Sequence, residues 1–163
     1  MGKVVSQDEL ILQRQEWKRN GKRLVFASGC FDLLHPGHTR LLEQARGMGD
    51  VLVVAIQSDE RVRTAGVANQ QQDRPITPAR ERLEILASLA AVDYVTEFEG
   101  ATPQEFLSRL APDVIVEGRD IGKTAPPAGR GENKASGPLI VHIPLEPGYS
   151  TSRLIERITQ PRA

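Results

Sequence analysis

The chain has 163 residues, 39% of them hydrophobic and 26% charged, with 21 Lys+Arg set against 21 Asp+Glu. That length and composition describe one ordinary globular domain over 1–163, with a core large enough to need no disulfide staple. The balanced charge excludes a global positive field for nucleic acid, so any anion site is local, and the single cysteine, Cys30, excludes an internal disulfide and a cysteine-built zinc site.

Residues 6–19 read as an amphipathic helix with Leu10, Ile11 and Trp17 on its buried side. "NGK" (20–22) stops it. "RLVFASG" (23–29) is a short apolar run ending in glycine, which predicts a buried strand. A helix follows over 36–48, with Leu41, Leu42 and Ala45 facing inward. "VLVVAIQ" (51–57) is an unbroken apolar run, as a parallel strand covered on both faces requires. Residues 58–77 are polar, with few apolar anchors, and predict a loop with at most part of a helix. Pro78 opens a helix through Ala90. "DYVTEF" (93–98) is a strand. "TPQEFLSRL" (102–110) has a threonine cap, an early proline and Glu105 three residues on, all helix-start signals. "PDVIVEG" (112–118) is a strand. Residues 120–138 are rich in Gly and Pro and predict an irregular, lid-like segment. "LIVHIPL" (139–145) is the last strand, and 150–158 is a capped terminal helix. Strands and helices alternate about five times. The expected fold is therefore α/β: a doubly wound, Rossmann-like, five-stranded parallel sheet with helices on both faces. No apolar run is long enough for a membrane span, and residues 1–20 are too polar for a secretory signal. A cytoplasmic protein without membrane or nucleic-acid partners is expected.

In such a sheet, ligands sit at the carboxyl ends of the strands, where strand order reverses. The first buried strand runs there into "SGCFDLLHPGH" (28–38). Pro36 suits a first helical turn, because it has no amide hydrogen to leave unpaired. Gly37 removes a side chain and lets a ligand approach the backbone. His35 and His38, three apart, fall on one side of the turn. Free amides at a helix start attract anions, so two imidazoles beside them make a small phosphate clamp. Two other readings stand beside it. In one, His35 caps the helix and His38 is a half-exposed surface residue. In the other the histidines hold a metal, for which Asp32 alone is too small a partner set. Neither the G-x-x-x-x-G-K-[ST] nor the G-x-G-x-x-G order is present here.

A second helix start comes late. Ser150, Thr151 and Ser152 follow Pro147 and Gly148, and each can cap the helix or hold phosphate, with Arg153 adding charge. By itself this is equally a well-capped terminal helix. Arg82, in "ARERLEIL", reads on its own as a solvated helix charge.

These residues carry a resemblance. "GCFDLLHPGH" resembles the G-x-F-D-x-x-H-x-G-H signature of the cytidylyltransferase-like nucleotidyltransferases. "GDVLVVAIQSD" (49–59) is similar to that family's second strand. "RPITPARERLEILASLAAVDYV" (74–95) is similar to its arginine-bearing helix and following strand, and "PDVIVEGRD" and "IPLEPGYSTSRLIERI" to its last third. The likeness covers about residues 22–158. Within the family, "TPQEFLSRLAPDVIVEG" and "PGYSTSRLIERI" most resemble the adenylyltransferase domain that activates D-glycero-β-D-manno-heptose 1-phosphate. The glycerol-3-phosphate cytidylyltransferases come next.

The resemblance implies transfer of a nucleotidyl group from ATP, or CTP, to a phosphorylated sugar or polyol. It implies His35, His38 and Arg82 as catalytic residues, Arg82 being preferred to Arg80 by its spacing from Pro78 and Leu83. It implies nucleotide contacts from Gly29, Cys30, Phe31, Gly37, Asp120, Ser150, Thr151 and Ser152, and acceptor contacts from Asp32, Arg61 and Arg63. Asp32 reads equally as a structural turn residue. Mg²⁺ is expected to be carried by the nucleotide's phosphates, with no protein-built metal site. A homodimer with Trp17 at the contact is also expected. The chain departs from the family pattern twice. A run like "RRLKG" usually supplies a phosphate-reaching lysine where residues 61–66 read "RVRTAG", and Glu117, Gly118, Arg119 and Asp120 stand in place of Lys-Gly-Gly-Asp. These departures leave room for a CTP-dependent enzyme with a polyol phosphate, or for a nucleotide-binding module without turnover.

Overall fold

A computed structural model of the chain describes residues 1–68, 74–99, 103–119, 137–145 and 147–160. The side chains of 66–68 and 119 are left aside. The elements in order are β1 (Lys3–Val4), α1 (Gln7–Arg19), β2 (Leu24–Gly29), α2 (Pro36–Arg46), β3 (Val51–Gln57), α3 (Asp59–Ala68) and α4 (Ala79–Ala87). They continue as β4 (Tyr94–Phe98), α5 (Gln104–Leu110), β5 (Val114–Arg119), β6 (Leu139–Pro144) and α6 (Thr151–Thr159).

Period-two alternation sorts the central strands onto two faces. Val25 and Ala27 of β2 and Leu52, Val54 and Ile56 of β3 join one core, with Leu41, Leu42 and Ala45 of α2 and Leu86 of α4. Leu24 and Phe26, with Val51, Val53 and Ala55, join the other, under Leu10 and Trp17 of α1 and Phe106 and Leu110 of α5. β3 is apolar throughout because both of its faces are covered.

All pairings are parallel, and the strand order is β1-β4-β3-β2-β5-β6. The chain runs outward from β2 through β3 to β4, then returns to lay β5 on the other side of β2. The topological switch therefore lies at the carboxyl ends of β2 and β5.

Among the described residues the sheet has six strands, one more than expected. β1 is two exposed residues beside β4, below the length at which a pattern is visible. It is held by backbone donors: Gly2 N–H to the Ala87 carbonyl and Lys3 N–H to that of Asp93. The expected loop over 58–77 contains ten-residue α3, whose inward anchor Val62 is buried. Helix α4 begins after Pro78 and ends at Ala87, before the expected Ala90. Pro103 occupies the cap position of α5 without a side-chain bond, and Thr102, the expected cap, lies outside the described residues. So do residues 120–136 of the segment 120–138 expected to be lid-like. Trp17, expected at a dimer contact, is a core residue, 5% exposed and packed on Tyr94 at 5.1 Å between ring centroids. Among the described residues, no helix is long and apolar enough to cross a membrane.

Candidate active site

β2 ends at Gly29, and the chain turns sharply into α2. Phe31 and Leu33 both take positive φ, 51° and 48°, which non-glycine residues rarely do. This turn throws His35 and His38 together at the head of α2. Their rings lie nearly parallel, 3.8 Å apart and inclined by 16°. Phe31 flanks His38 at 5.3 Å, and Tyr149 stands beyond His35 at 6.4 Å. The result is a column of four rings with the imidazoles in the middle. His35 occupies the cap position of α2 but makes no side-chain cap bond, so the capping explanation for it fails.

The Nδ1 atoms of His35 and His38 are buried and find no hydrogen-bond partner among the described residues. Burial pushes His38 down to about 4, aided by His35 and Arg74 and opposed by Asp32. Burial also lowers His35, against a backbone hydrogen bond. At neutral pH both rings are neutral, each with one N–H donor to offer.

Gly37 is buried, and a Cβ there would lie 3.0 Å from the His35 ring and 3.3 Å from the Tyr149 Cβ. The space above this glycine is thus taken by His35 itself. Its small size serves the packing of the clamp, where the sequence suggested only room for a ligand.

The two helix starts meet. The Thr151 hydroxyl donates to the Asp32 carbonyl at 2.7 Å, joining the first turn of α6 to the turn before α2. Ser150 caps α6, its Oγ accepting from the Arg153 N–H at 3.2 Å, and Ser152 is half-buried beside it.

Asp32 is spent inside the chain. It is 1% exposed, and its carboxylate accepts from Arg74 Nε at 2.6 Å and from the backbone N–H groups of Ile76 and Thr77 at 2.9 and 2.8 Å. Burial alone would raise its pKa. The Ile76 and Thr77 amides and the Arg74 guanidinium outweigh that and carry it below the usual carboxylate range. Of the two readings of Asp32, the structural one has the geometry, with the segment before α4 as its load.

Arg82 is fully buried and reaches no open crevice. Its Nε donates to the Thr77 carbonyl, Nη1 to the carbonyls of Cys30 and Gln57, and Nη2 to Asp59 Oδ1, all at 2.6–3.0 Å. It ties the carboxyl ends of β2 and β3 to the head of α3. The resemblance makes Arg82 catalytic and its helix pattern makes it solvated; this geometry makes it a positioning residue.

The remaining expected site residues divide. Gly29 and Cys30 are half-buried at the end of β2, with burial raising the Cys30 thiol against the pull of Arg82 and Arg74. Phe31 lies in the core with its ring against His38. Arg61, in the first turn of α3, is half-buried with an unpartnered Nε among the described residues, whereas Arg63 is exposed. Asp120 lies outside the described residues. Glu117 stands opposite His142 on β6, Oε2 to Nδ1 3.3 Å. Three contributors were not singled out from the sequence: Arg74, Asp59 and Tyr149. Nothing local marks the first two, because their roles lie in contacts with residues 20 to 42 positions away.

Among the described residues, no group of three or more His, Cys, Asp or Glu is placed to hold a metal.

A doubly wound parallel sheet with a stacked histidine couple and two helix starts at its switch point defines a Rossmann-like α/β protein. The chain belongs to the cytidylyltransferase-like family, whose model matches residues 26–157. It is 44% identical over 155 residues to a bifunctional protein HldE from Koribacter versatilis and 39% identical to one from Shewanella piezotolerans, in each case over 95% of this chain and 31% of the relative. The chain thus spans about a third of the length of these relatives. Two solved structures share the fold. A lipopolysaccharide core biosynthesis protein from Thermoplasma volcanium has a TM-score of 0.56 at 24% identity, over 77% of this chain and 98% of its own. A pantoate-beta-alanine ligase from Francisella tularensis has 0.59 at 14% identity, over 88% and 67%.

Proposed function

We propose that the protein is a nucleotidyltransferase that moves AMP from ATP to a sugar 1-phosphate, D-glycero-β-D-manno-heptose 1-phosphate, releasing pyrophosphate. One observation carries this reading: the stacked, unpaired His35–His38 couple beside the hydrogen bond from Thr151 to Asp32, which joins two helix starts into one site. The acceptor rests on the resemblance of "TPQEFLSRLAPDVIVEG" and "PGYSTSRLIERI" and on the identity to the HldE relatives.

An oxygen of the acceptor phosphate attacks the α-phosphorus, and the bond to the pyrophosphate oxygen breaks. The attacking group is already ionised at neutral pH, so no strong base is required. Catalysis comes from positioning and from hydrogen bonds that strengthen as charge moves onto the phosphate oxygens. His35 and His38 supply the N–H donors. The amides at the heads of α2 and α6 supply partial positive charge, and Arg61 takes the place of the family's lysine. Arg82 and Asp32 hold the frame. Magnesium, when bound with the nucleotide, screens the phosphates' charge. ATP as donor puts the work in the cytoplasm.

The test is pyrophosphate release with Mg²⁺, crossing ATP, CTP and GTP with heptose 1-phosphate and glycerol 3-phosphate. Release with ATP and heptose 1-phosphate alone supports the reading. Release with CTP and the polyol phosphate keeps the mechanism and replaces both substrates. Nucleotide binding with no release from any pair identifies a module without turnover.

A further inference from the structure

The opposite end of the sheet carries a second basic feature that the proposed reaction does not use. The last turns of α1, the turn into β2 and the residue before β5 form an open surface pocket of about 390 Å³, lined by Arg14, Lys18, Gly21, Lys22, Arg23 and Asp113. Four cations face one carboxylate in a chain whose overall charge is zero. That carboxylate is already engaged: Oδ2 accepts from the Leu24 N–H at 2.7 Å and Oδ1 from Arg14 Nη2 at 3.1 Å.

A helix C-terminus attracts lysines to its own dipole, and that accounts for Lys18. It does not account for Lys22 and Arg23, which lie beyond the helix, nor for Arg14. Arg14 is only 8% exposed, with Nη2 also donating to the Ala111 carbonyl at 2.9 Å. Its Nε is buried without a partner among the described residues. A buried guanidinium N–H left unpaired carries the desolvation cost of that group until an acceptor arrives. Gly21 leaves the wall open, since at φ 65° a Cβ there would meet nothing within 4 Å.

We propose that this pocket binds a small, multiply charged phosphate anion. An oxyanion supplies the acceptor that Arg14 lacks and the charge that Lys18, Lys22 and Arg23 call for, and the volume suits a phosphate-bearing small molecule. The site is separate from the histidine clamp. Arg23 precedes β2 and His35 follows it, and six residues of strand span about 20 Å. The inference is independent of the nucleotidyl-transfer reading.

Isothermal titration calorimetry with inorganic pyrophosphate tests it on three forms of the full chain. The wild type is expected to bind at two sites. The charge reversal Lys18→Glu/Lys22→Glu, on two exposed residues, is expected to weaken one site by on the order of tenfold and to leave turnover unchanged. His35→Ala/His38→Ala is expected to retain that same site, weakened by added salt. A Lys18→Glu/Lys22→Glu protein that titrates like the wild type overturns the proposal. So does a His35→Ala/His38→Ala protein that no longer binds pyrophosphate.

Discussion

The His35 and His38 rings lie stacked at 3.8 Å, and both turn a buried Nδ1 toward no partner among the described residues. Folding tolerates such a pair only because both rings are neutral; two imidazolium ions at this separation repel strongly. An unpaired buried nitrogen costs free energy, and under the proposed reaction the phosphates would take up the rings' free N–H donors. His38→Ala should therefore cut pyrophosphate release by about 10²–10³-fold. Its stability to urea should change by no more than about 2 kcal/mol, because lost packing on Phe31 is offset by removal of an unsatisfied nitrogen. Wild-type turnover in a folded His38→Ala protein would remove the clamp from the mechanism.

The same pair makes stability and binding depend on pH. Unfolded, His38 titrates near 6.5; folded, near 4. Between these values the unfolded chain holds a proton that the folded chain lacks. Stability is fully present above 6.5 and is lost as the pH falls toward 4, by at most about 3 kcal/mol. His35 shifts in the same direction and adds to the loss. Asp32, held below its ordinary 3.8, acts only lower, as its own ion pair with Arg74 is protonated away. Urea midpoints should fall from pH 7 to pH 4.5, and His38→Ala should flatten that slope. A bound polyphosphate favours the imidazolium form, so nucleotide binding should take up protons below pH 7. Calorimetry in buffers of different ionisation enthalpy would detect the uptake, and equal heats in all buffers would contradict it.

Much of this was legible in the chain and some was not. The unbroken "VLVVAIQ" run announced a strand covered on both faces, and His35-Pro36-Gly37-His38 announced a helix start with two imidazoles on one side. Both signals are local, set by residues within one turn or one strand. The parts that were not legible are tertiary. Arg82 takes acceptors from residues 5, 23, 25 and 52 positions away, and no helix pattern distinguishes that from a solvated arginine. Asp32 is an anchor because residues 74–77 return to it across more than forty positions. Gly37 is small because His35 folds back over it, a packing fact that its sequence neighbours do not record.

Arg82 offers a direct contrast between positioning and catalysis. Replacing it with leucine removes the donor of three carbonyls and the cation beside Asp59, which is part-exposed and keeps the Ala79 N–H; each buried group left unpaired costs about 1–3 kcal/mol. Arg82→Leu should lose activity together with its fold, and a stabilising osmolyte should restore both in parallel. Arg82→Lys should fall between, since one ammonium cannot serve four acceptors in a fork. A variant that is fully folded by circular dichroism yet inactive would instead make Arg82 a catalytic group.

Thr151 is the most economical test of the joined helix starts. Its hydroxyl links α6 to the Asp32 carbonyl, and serine preserves that donor while valine preserves the shape. One such bond is worth about 1 kcal/mol, or roughly fivefold in an equilibrium. Thr151→Val should raise the KM for the nucleotide by about that factor, with a smaller effect on kcat, because ground state and transition state both use the aligned amides of α6. Thr151→Ser should stay near the wild type. Equal KM values for all three proteins would mean that the two helix starts hold the phosphates independently, and the late one would return to being a well-capped terminal helix.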